Sequence, residues 1–219
     1  MDAGRLVKYP STPHLPSSRT RSGDDSSLSD TAHLRGLDVL ISEKLDGENA
    51  TLYRHHYHAR SLDSRHHPSR DWIKSFWAAR RHDIPEHLRI CGENLYARHS
   101  IAYEGLKSYF YGFSAWDNDA NLCLPWAETL DWFDLLGIVP VPILYTGPYD
   151  DKVVERLISG LDAARQEGLV VRNAAGFAFA DFNRNVAKWV RPRHVQTDIH
   201  WMHAEIVPNG LAADAGGDA

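Results

Sequence analysis

A lysine lies between two acidic residues in the short segment Glu43-Lys44-Leu45-Asp46-Gly47, which joins two runs rich in β-forming residues. Lysine is a nucleophile only after it loses its proton, and its ordinary pKa is about 10.4. A reactive lysine therefore needs nearby cations, a metal ion or burial to lower that pKa. Glycine allows a ligand to approach the backbone closely. The segment indicates either a nucleophilic lysine at the end of a sheet or a charged hairpin tip.

The charge of the chain is unevenly distributed. Its formal net charge is −5, which excludes a wholly basic nucleic-acid binder. Residues 54–81 nevertheless contain seven Lys and Arg residues but only two acidic residues, together with five of the 13 His residues. Such a segment is typical either of a local surface for a polyanion or of a solvated loop and helix face. The His residues lack Cys or acidic neighbours at zinc-binding spacings, so no zinc site is predicted.

Length and composition narrow the class of protein. The 219 residues suffice for one domain with a full core, and an apolar fraction of 43% excludes a disordered chain. No apolar run is long enough to span a membrane. The N-terminus has no apolar signal region, and two cysteines do not make a disulfide framework. These features predict a cytoplasmic protein without membrane contact.

The hydrophobic pattern predicts more strands than helices. Strands are expected around residues 38–42, 49–54, 57–61, 88–97, 108–117, 141–145, 168–173 and 185–191. Helices are expected from Asp71, from Pro125 to Gly137, and over residues 151–162. A tight segment joins the predicted strands 38–42 and 49–54, which favours antiparallel pairing. The sequence thus predicts a single α+β domain built on antiparallel sheets with flanking helices.

Further segments follow the lysine in a particular order. They combine charged side chains that can bind phosphate with aromatic side chains that can stack on a ring. They are His58–Ser61, Gly92–Tyr96, Tyr109–Phe113, Glu167–Arg172 and Val186–Arg191. With Glu43–Gly47 they resemble the covalent nucleotidyltransferase superfamily of RNA ligases, DNA ligases and mRNA capping enzymes. The likeness is greatest to RNA ligases of the phage RNA ligase 2 type, and it extends from Lys8 to His203.

The resemblance implies three catalytic residues. Lys44 would attack the α-phosphate of ATP, form a lysyl–AMP intermediate and release pyrophosphate. Lys188 would contact the α-phosphate, and Glu167 would help to organise a divalent metal ion, Mg²⁺ or Mn²⁺. The residue types suit these roles, because cations stabilise charge at phosphorus and Mg²⁺ prefers oxygen ligands.

The resemblance also implies a nucleotide-binding set. Glu43 would meet the adenine edge through its backbone, and Asn49 would lie near the leaving phosphates. Arg60 would touch the nucleotide or the RNA end, and Lys188 would again contact the nucleotide. Glu93 would bind the ribose hydroxyls, and Phe113 would stack on adenine. Taken alone, Phe113 in an aromatic strand fits a core position better than an adenine platform.

The fold and domain limits follow from the same resemblance. It implies a nucleotidyltransferase catalytic domain, similar to ATP-grasp folds, over residues 1–207, with a flexible tail at 208–219. Only 28 residues follow Arg191, which predicts no OB-type domain. Two departures stand out: Ser114 follows Phe113 where the family often has Asp, and Arg191 stands where the family usually has a second lysine.

The implied function is ATP-dependent RNA ligation in RNA repair. The substrates would be RNA ends bearing a 5′-phosphate and a 3′-OH, prepared by a separate end-healing kinase or phosphatase. Two alternatives stay open, a minimal ATP-dependent DNA ligase and a non-catalytic subunit that binds nucleotide or RNA. The presence of Lys44, Glu93 and Glu167 argues against the non-catalytic subunit.

Overall fold

The β-rich runs pair into two sheets in the computed structural model, which describes residues 6–18, 26–63, 66–192 and 206–213. The strands are β1 (Asp38–Lys44), β2 (Glu48–Leu52), β3 (Tyr57–Ala59), β4 (Leu88–Asn94), β5 (Phe110–Asp117), β6 (Leu122–Cys123), β7 (Val139–Pro140), β8 (Ile143–Pro148), β9 (Gly168–Asn173), β10 (Phe177–Ala178) and β11 (Val186–Val190). The helices are α1 (Asp71–Arg80), α2 (Trp126–Leu135), α3 (Asp151–Gly160) and the single turn α4 (Phe182–Asn185).

One sheet has four strands in the order β11-β9-β1-β8, and the other follows the order β10-β6-β5-β4-β2-β3 with β7 beside β5. The pairs are antiparallel apart from β5 with β7, which is parallel. The predicted α+β class, with antiparallel sheets and flanking helices, is confirmed.

Strand β1 belongs to one sheet and β2 to the other, so the chain crosses between the sheets at residues 45–47. Gly47 makes the crossing possible, because a Cβ atom there would lie 2.5 Å from the carbonyl oxygen of Asn94. Lys44, the last residue of β1, therefore lies where the two sheets meet.

Each sheet has its own hydrophobic core. Alternate residues of β1, Val39 and Ile41, pack with Val154 of α3 on one face of the four-stranded sheet. The second sheet packs against α1 and α2, whose buried residues include Phe76 and Phe133. The opposite face of the four-stranded sheet is thereby left to form the floor of a cleft.

Of the flexible tail that the sequence predicts at 208–219, residues 208–213 contact the body of the protein, and residues 214–219 lie outside the described residues. Pro208 pairs with Ala97, Leu211 pairs with Leu106, and Asn209 is buried. The Asn209 side chain finds backbone partners in the body of the protein, which a composition-based prediction does not detect. The domain limit at residue 207 stays a prediction.

None of the helices in the described ranges is both long and apolar enough to cross a membrane.

Candidate active site

A cleft of about 560 Å³ lies between the two sheets. Its floor is one face of the four-stranded sheet, because side chains two apart on a strand share a face. The floor residues are Leu40, Ser42 and Lys44 of β1, Val170 and Arg172 of β9, and Val186 and Lys188 of β11. The opposite wall includes Asn49, Glu93 and Phe113 of the second sheet, and Arg60 after β3. Six segments that are distant in sequence thus meet at one cleft.

Lys44 and Glu167 form an ion pair at one end of the cleft. Their strands are in register, with Lys44 opposite Gly168, so Glu167 arrives beside the lysine. The Nζ atom of Lys44 lies 2.5 Å from Oε2 of Glu167. The Glu167 side chain is 5% exposed and that of Lys44 25% exposed. The lysine therefore faces the cleft, and Glu167 supports it from behind.

The pKa of Lys44 is raised, not lowered. Burial alone would lower it, but the negative charges of Glu167 and Glu93 outweigh burial, with a smaller contribution from Asp46. The lysine therefore carries its proton at neutral pH in these surroundings. The lowered pKa that a reactive lysine needs is therefore not present in these surroundings, because the charges that act on Lys44 come from carboxylates. Nucleophilic attack requires the proton to move to an acceptor, and Glu167 is within hydrogen-bond distance.

Glu93 lies in the second wall, near the lysine. Its Oε1 atom accepts a hydrogen bond of 3.2 Å from the backbone N–H of Gly47. Burial raises the pKa of Glu93 to about 8. The positive charge of Lys44 acts to lower this pKa, and the negative charges of Glu167 and Asp46 act to raise it. When it holds its proton, this carboxyl group can donate a hydrogen bond to a hydroxyl group. Asn49 is its cross-strand neighbour.

The remaining predicted residues are brought to the same cleft. Phe113 is half-buried and packs edge-to-face on Tyr9, with ring centroids 5.1 Å apart. Arg60 is exposed at the rim. Lys188 lies opposite Val170 on the floor. The backbone N–H of Glu43 already donates to the carbonyl of Pro142, so that group is not available for a base.

The family sequence profile described as RNA ligase matches residues 37–190. The chain belongs to the RNA ligase family. This match covers Lys44 and the other site residues named above. No curated protein matches the chain.

Solved RNA ligases share the fold of this family member. An archaeal ATP-dependent RNA ligase has a TM-score of 0.57 and 17% identity, over 84% of this chain and 48% of the other. The Naegleria gruberi RNA ligase with PPi has a TM-score of 0.50 and 19% identity, over 73% and 51%. An Aquifex aeolicus protein assigned as an ATP-dependent DNA ligase has a TM-score of 0.51 and 17% identity, over 73% and 45%. The chain thus spans about half the length of the RNA ligases that it matches.

Tyr9 and Arg172 also line this RNA ligase family cleft, although the sequence analysis did not predict a role for either residue. Tyr9 is wedged between Phe113 and Phe182, at centroid distances of 5.1 and 5.3 Å. Arg172 is 4% exposed, donates to the carbonyl of Phe113, and has its guanidinium 4.9 Å from the ring centre of Trp126. Its Nη2 atom is buried without a hydrogen-bond partner among the described residues. The alternation of β9 could have found Arg172, which shares the face of Val170. Nothing in the sequence indicates Tyr9.

The basic segment 54–81 does not form a continuous positive surface in its described residues. Arg54 pairs with Glu86, at 3.3 Å from Nε to Oε1. Arg70 is buried and holds Glu48 through two hydrogen bonds, one of 2.7 Å. Elsewhere in the segment the guanidinium groups of Arg80 and Arg81 lie over aromatic rings. Among the described arginines of this segment, Arg60 is the one that lines the cleft.

The donor set of the cleft fits a divalent cation bound together with phosphate. Among residues 6–18, 26–63, 66–192 and 206–213, no three His, Cys, Asp or Glu side chains are arranged to hold a metal ion by themselves. Mg²⁺ usually takes one or two carboxylates and fills its other positions with water and phosphate. Glu167 offers a carboxylate, and the buried Oδ1 of Asn49 has no hydrogen-bond partner in the described chain.

The raised pKa of Glu93 has a consequence for stability. Between about pH 4.5 and pH 8 the folded protein holds a proton that the unfolded chain has released, so stability falls as pH rises through this window. Glu93→Gln removes this titration while keeping an oxygen for the N–H of Gly47. We expect the gain in unfolding midpoint from this substitution to be larger at pH 8.5 than at pH 5.

Denaturant titration of the unchanged protein and Glu93→Gln at both pH values measures the effect. Glu104→Gln is the matched control, because Glu104 is exposed. An equal midpoint difference between Glu93→Gln and the unchanged protein at pH 5 and pH 8.5 would contradict the prediction.

Proposed function

We propose that this chain is an ATP-dependent RNA ligase that acts through a covalent Lys44–AMP intermediate. The observation that carries the proposal is the ion pair of Lys44 with the buried Glu167, because Lys44 lines a cleft together with Glu93, Phe113 and Lys188. Membership of the RNA ligase family supports RNA as the polymer. The archaeal relative is named as ATP-dependent, which supports ATP as the nucleotide.

The first step forms a bond between Lys44 Nζ and the α-phosphorus of ATP. The bond from that phosphorus to the β-phosphate oxygen breaks, and pyrophosphate leaves with the electron pair. One proton of the Lys44 ammonium group passes to Glu167, whose Oε2 lies 2.5 Å away, and a second proton leaves the nitrogen to water as the N–P bond forms. Lys188 stabilises charge at the α-phosphate. A divalent cation, held by Glu167 with phosphate oxygens, would supply further positive charge for this step.

The later steps transfer the nucleotide and then join the ends. A 5′-phosphate oxygen of RNA attacks the AMP phosphorus, the N–P bond breaks, and Lys44 regains a proton. The 3′-OH of the other end then attacks the 5′-phosphorus of the RNA-adenylate, and AMP leaves. Ends of this kind imply a separate kinase or phosphatase that prepares broken RNA, and we place the protein in RNA repair.

The proposed compartment is the cytoplasm. Cys91 and Cys123 are both free and both buried in the core. Unpaired thiols are typical of proteins in a reducing environment.

Incubation with α-labelled ATP and Mg²⁺, followed by denaturing electrophoresis, tests the proposal. We expect a labelled protein band from ATP and not from GTP, and sealing of a nick with an RNA 3′-OH strand. The 2′-OH distinguishes RNA from DNA, so deoxynucleotides at the last two positions of that strand should slow sealing sharply. Equal sealing of an all-DNA nick would favour the DNA ligase alternative. The absence of label would favour the non-catalytic subunit.

A further inference from the structure

The C-terminal segment 206–213 lies against the loop 95–109, between β4 and β5. Both ends of the segment are bound to this loop. Arg98 N–H donates to the carbonyl of Val207 at 2.8 Å, and Ala212 N–H donates to the carbonyl of Leu106 at 2.8 Å. The segment lies outside residues 37–190, which the family profile matches. Family membership therefore assigns it no role.

Asn209 is the centre of this contact and is 5% exposed. Its side-chain Nδ2 donates to the carbonyl of Leu95 at 2.7 Å, and its Oδ1 accepts from the N–H of Tyr103 at 2.9 Å. Its backbone N–H donates to the carbonyl of Tyr96 at 3.0 Å, and its carbonyl accepts from the hydroxyl of Tyr109 at 2.9 Å. One buried side chain thus ties two distant points of the loop together.

The loop 95–109 also forms hydrogen bonds with Asp46, which lies two residues after Lys44. Oδ2 of Asp46 accepts from Ser100 N–H at 2.8 Å, from the Ser100 hydroxyl at 2.6 Å and from Ile101 N–H at 2.9 Å. The backbone N–H of Asp46 donates to the hydroxyl of Tyr103 at 2.9 Å. The crossing at residues 45–47 lies between β1 and β2 and is outside both strand ladders. These bonds therefore help to fix the turn that follows Lys44.

We propose that Asn209 is a positioning residue for nucleotide transfer, acting through Tyr103 and Asp46 on Lys44. The proposal rests on the function proposed above. Asn209 binds the backbone of Tyr103, and the Tyr103 hydroxyl binds the backbone of Asp46. The turn that contains Asp46 fixes the position of Lys44, the last residue of β1. A displacement of about 1 Å at a reacting group can cost about 100-fold in rate. Segment 206–213 is thereby part of the active-site support.

A double-mutant cycle on the rate of single-turnover labelling with α-labelled ATP tests this path. Asn209→Ala removes the bonds to Leu95 and Tyr103, and Tyr103→Phe removes only the hydroxyl that receives Asp46 N–H. We expect each variant to label about 10- to 100-fold more slowly at saturating ATP. Because both act through one path, the double variant should be within about threefold of the slower single variant. Effects that multiply would overturn the proposal.

Two measurements separate positioning from a general loss of stability. Val154 lies on the buried face of α3, so Val154→Ala is a destabilised control. This variant should label at nearly the rate of the unchanged protein. Amide exchange over residues 97–103 should rise in Asn209→Ala and stay unchanged in Val154→Ala. Labelling of Asn209→Ala at the unchanged rate would overturn the inference, as would an equal loss in Val154→Ala. Failure of the unchanged protein to label would instead reject the proposed function.

Discussion

Replacing Lys44 with methionine will abolish covalent labelling by α-labelled ATP. Methionine keeps much of the length of the side chain but has no nitrogen to form the bond to phosphorus. The cleft is lined by one other lysine among the described residues, Lys188, which lies on β11 and is separated from β1 by β9. We therefore expect label below detection, measured after denaturing electrophoresis.

Lys152→Met is the matched control for this experiment. Lys152 is exposed on α3, away from the cleft, so its loss should leave labelling unchanged. Both variants must unfold cooperatively, because Lys44→Met leaves the buried carboxylates of Glu167 and Glu93 without their cation. Label that persists on folded Lys44→Met would show that another residue is the nucleophile.

Glu167→Gln should slow labelling by about 100-fold or more, the scale for loss of a positioned charged group. The amide can still contact Lys44, but it cannot take the lysine proton or offer a carboxylate to a metal ion. The charge of Glu167 also helps to raise the pKa of Lys44. Removing that charge lowers this pKa, so the remaining activity should reach its maximum at a lower pH than in the unchanged protein.

Rate–pH profiles of labelling for Glu167→Gln and for Glu155→Gln measure this prediction. Glu155 is exposed on α3 and serves as the control for loss of one carboxylate. A near-unchanged rate in Glu167→Gln would remove both proposed roles of Glu167. A slower rate with an unshifted pH profile would remove only its effect on the lysine pKa.

Local pattern sufficed to predict most of the sheet strands. The run of β-forming residues over 38–42 marks β1. The helix predicted over residues 151–162 corresponds to α3, which Asp150 caps by accepting a hydrogen bond from the N–H of Lys152. The two-residue strands β6, β7 and β10 were not predicted, because two residues show no periodicity and depend on a neighbour already in place.

The site residues could be named from ordered segments, but their electrostatics could not. The raised pKa of Lys44 comes from Glu167, which is 123 residues away in sequence, and from Glu93 on the other sheet. The spatial distances between these charges depend on which residues of two strands lie opposite each other, and this register cannot be read from the sequence. Tyr9 and Asn209 were missed for the same reason, since each acts through long-range packing in a segment without a motif.

The placement of β1 also bears on how the protein forms during synthesis. This strand has β8 on one side and β9 on the other, both of which leave the ribosome about 100 or more residues after it. Until then, both hydrogen-bonding edges of the strand that ends in Lys44 lack their native partners, and exposed edges invite aggregation. A nascent chain shorter than about 173 residues therefore contains Lys44 but lacks the complete β9, one of the strands that form the floor of the cleft. Protection by a chaperone during translation should matter more for this protein than for proteins whose neighbouring strands are consecutive.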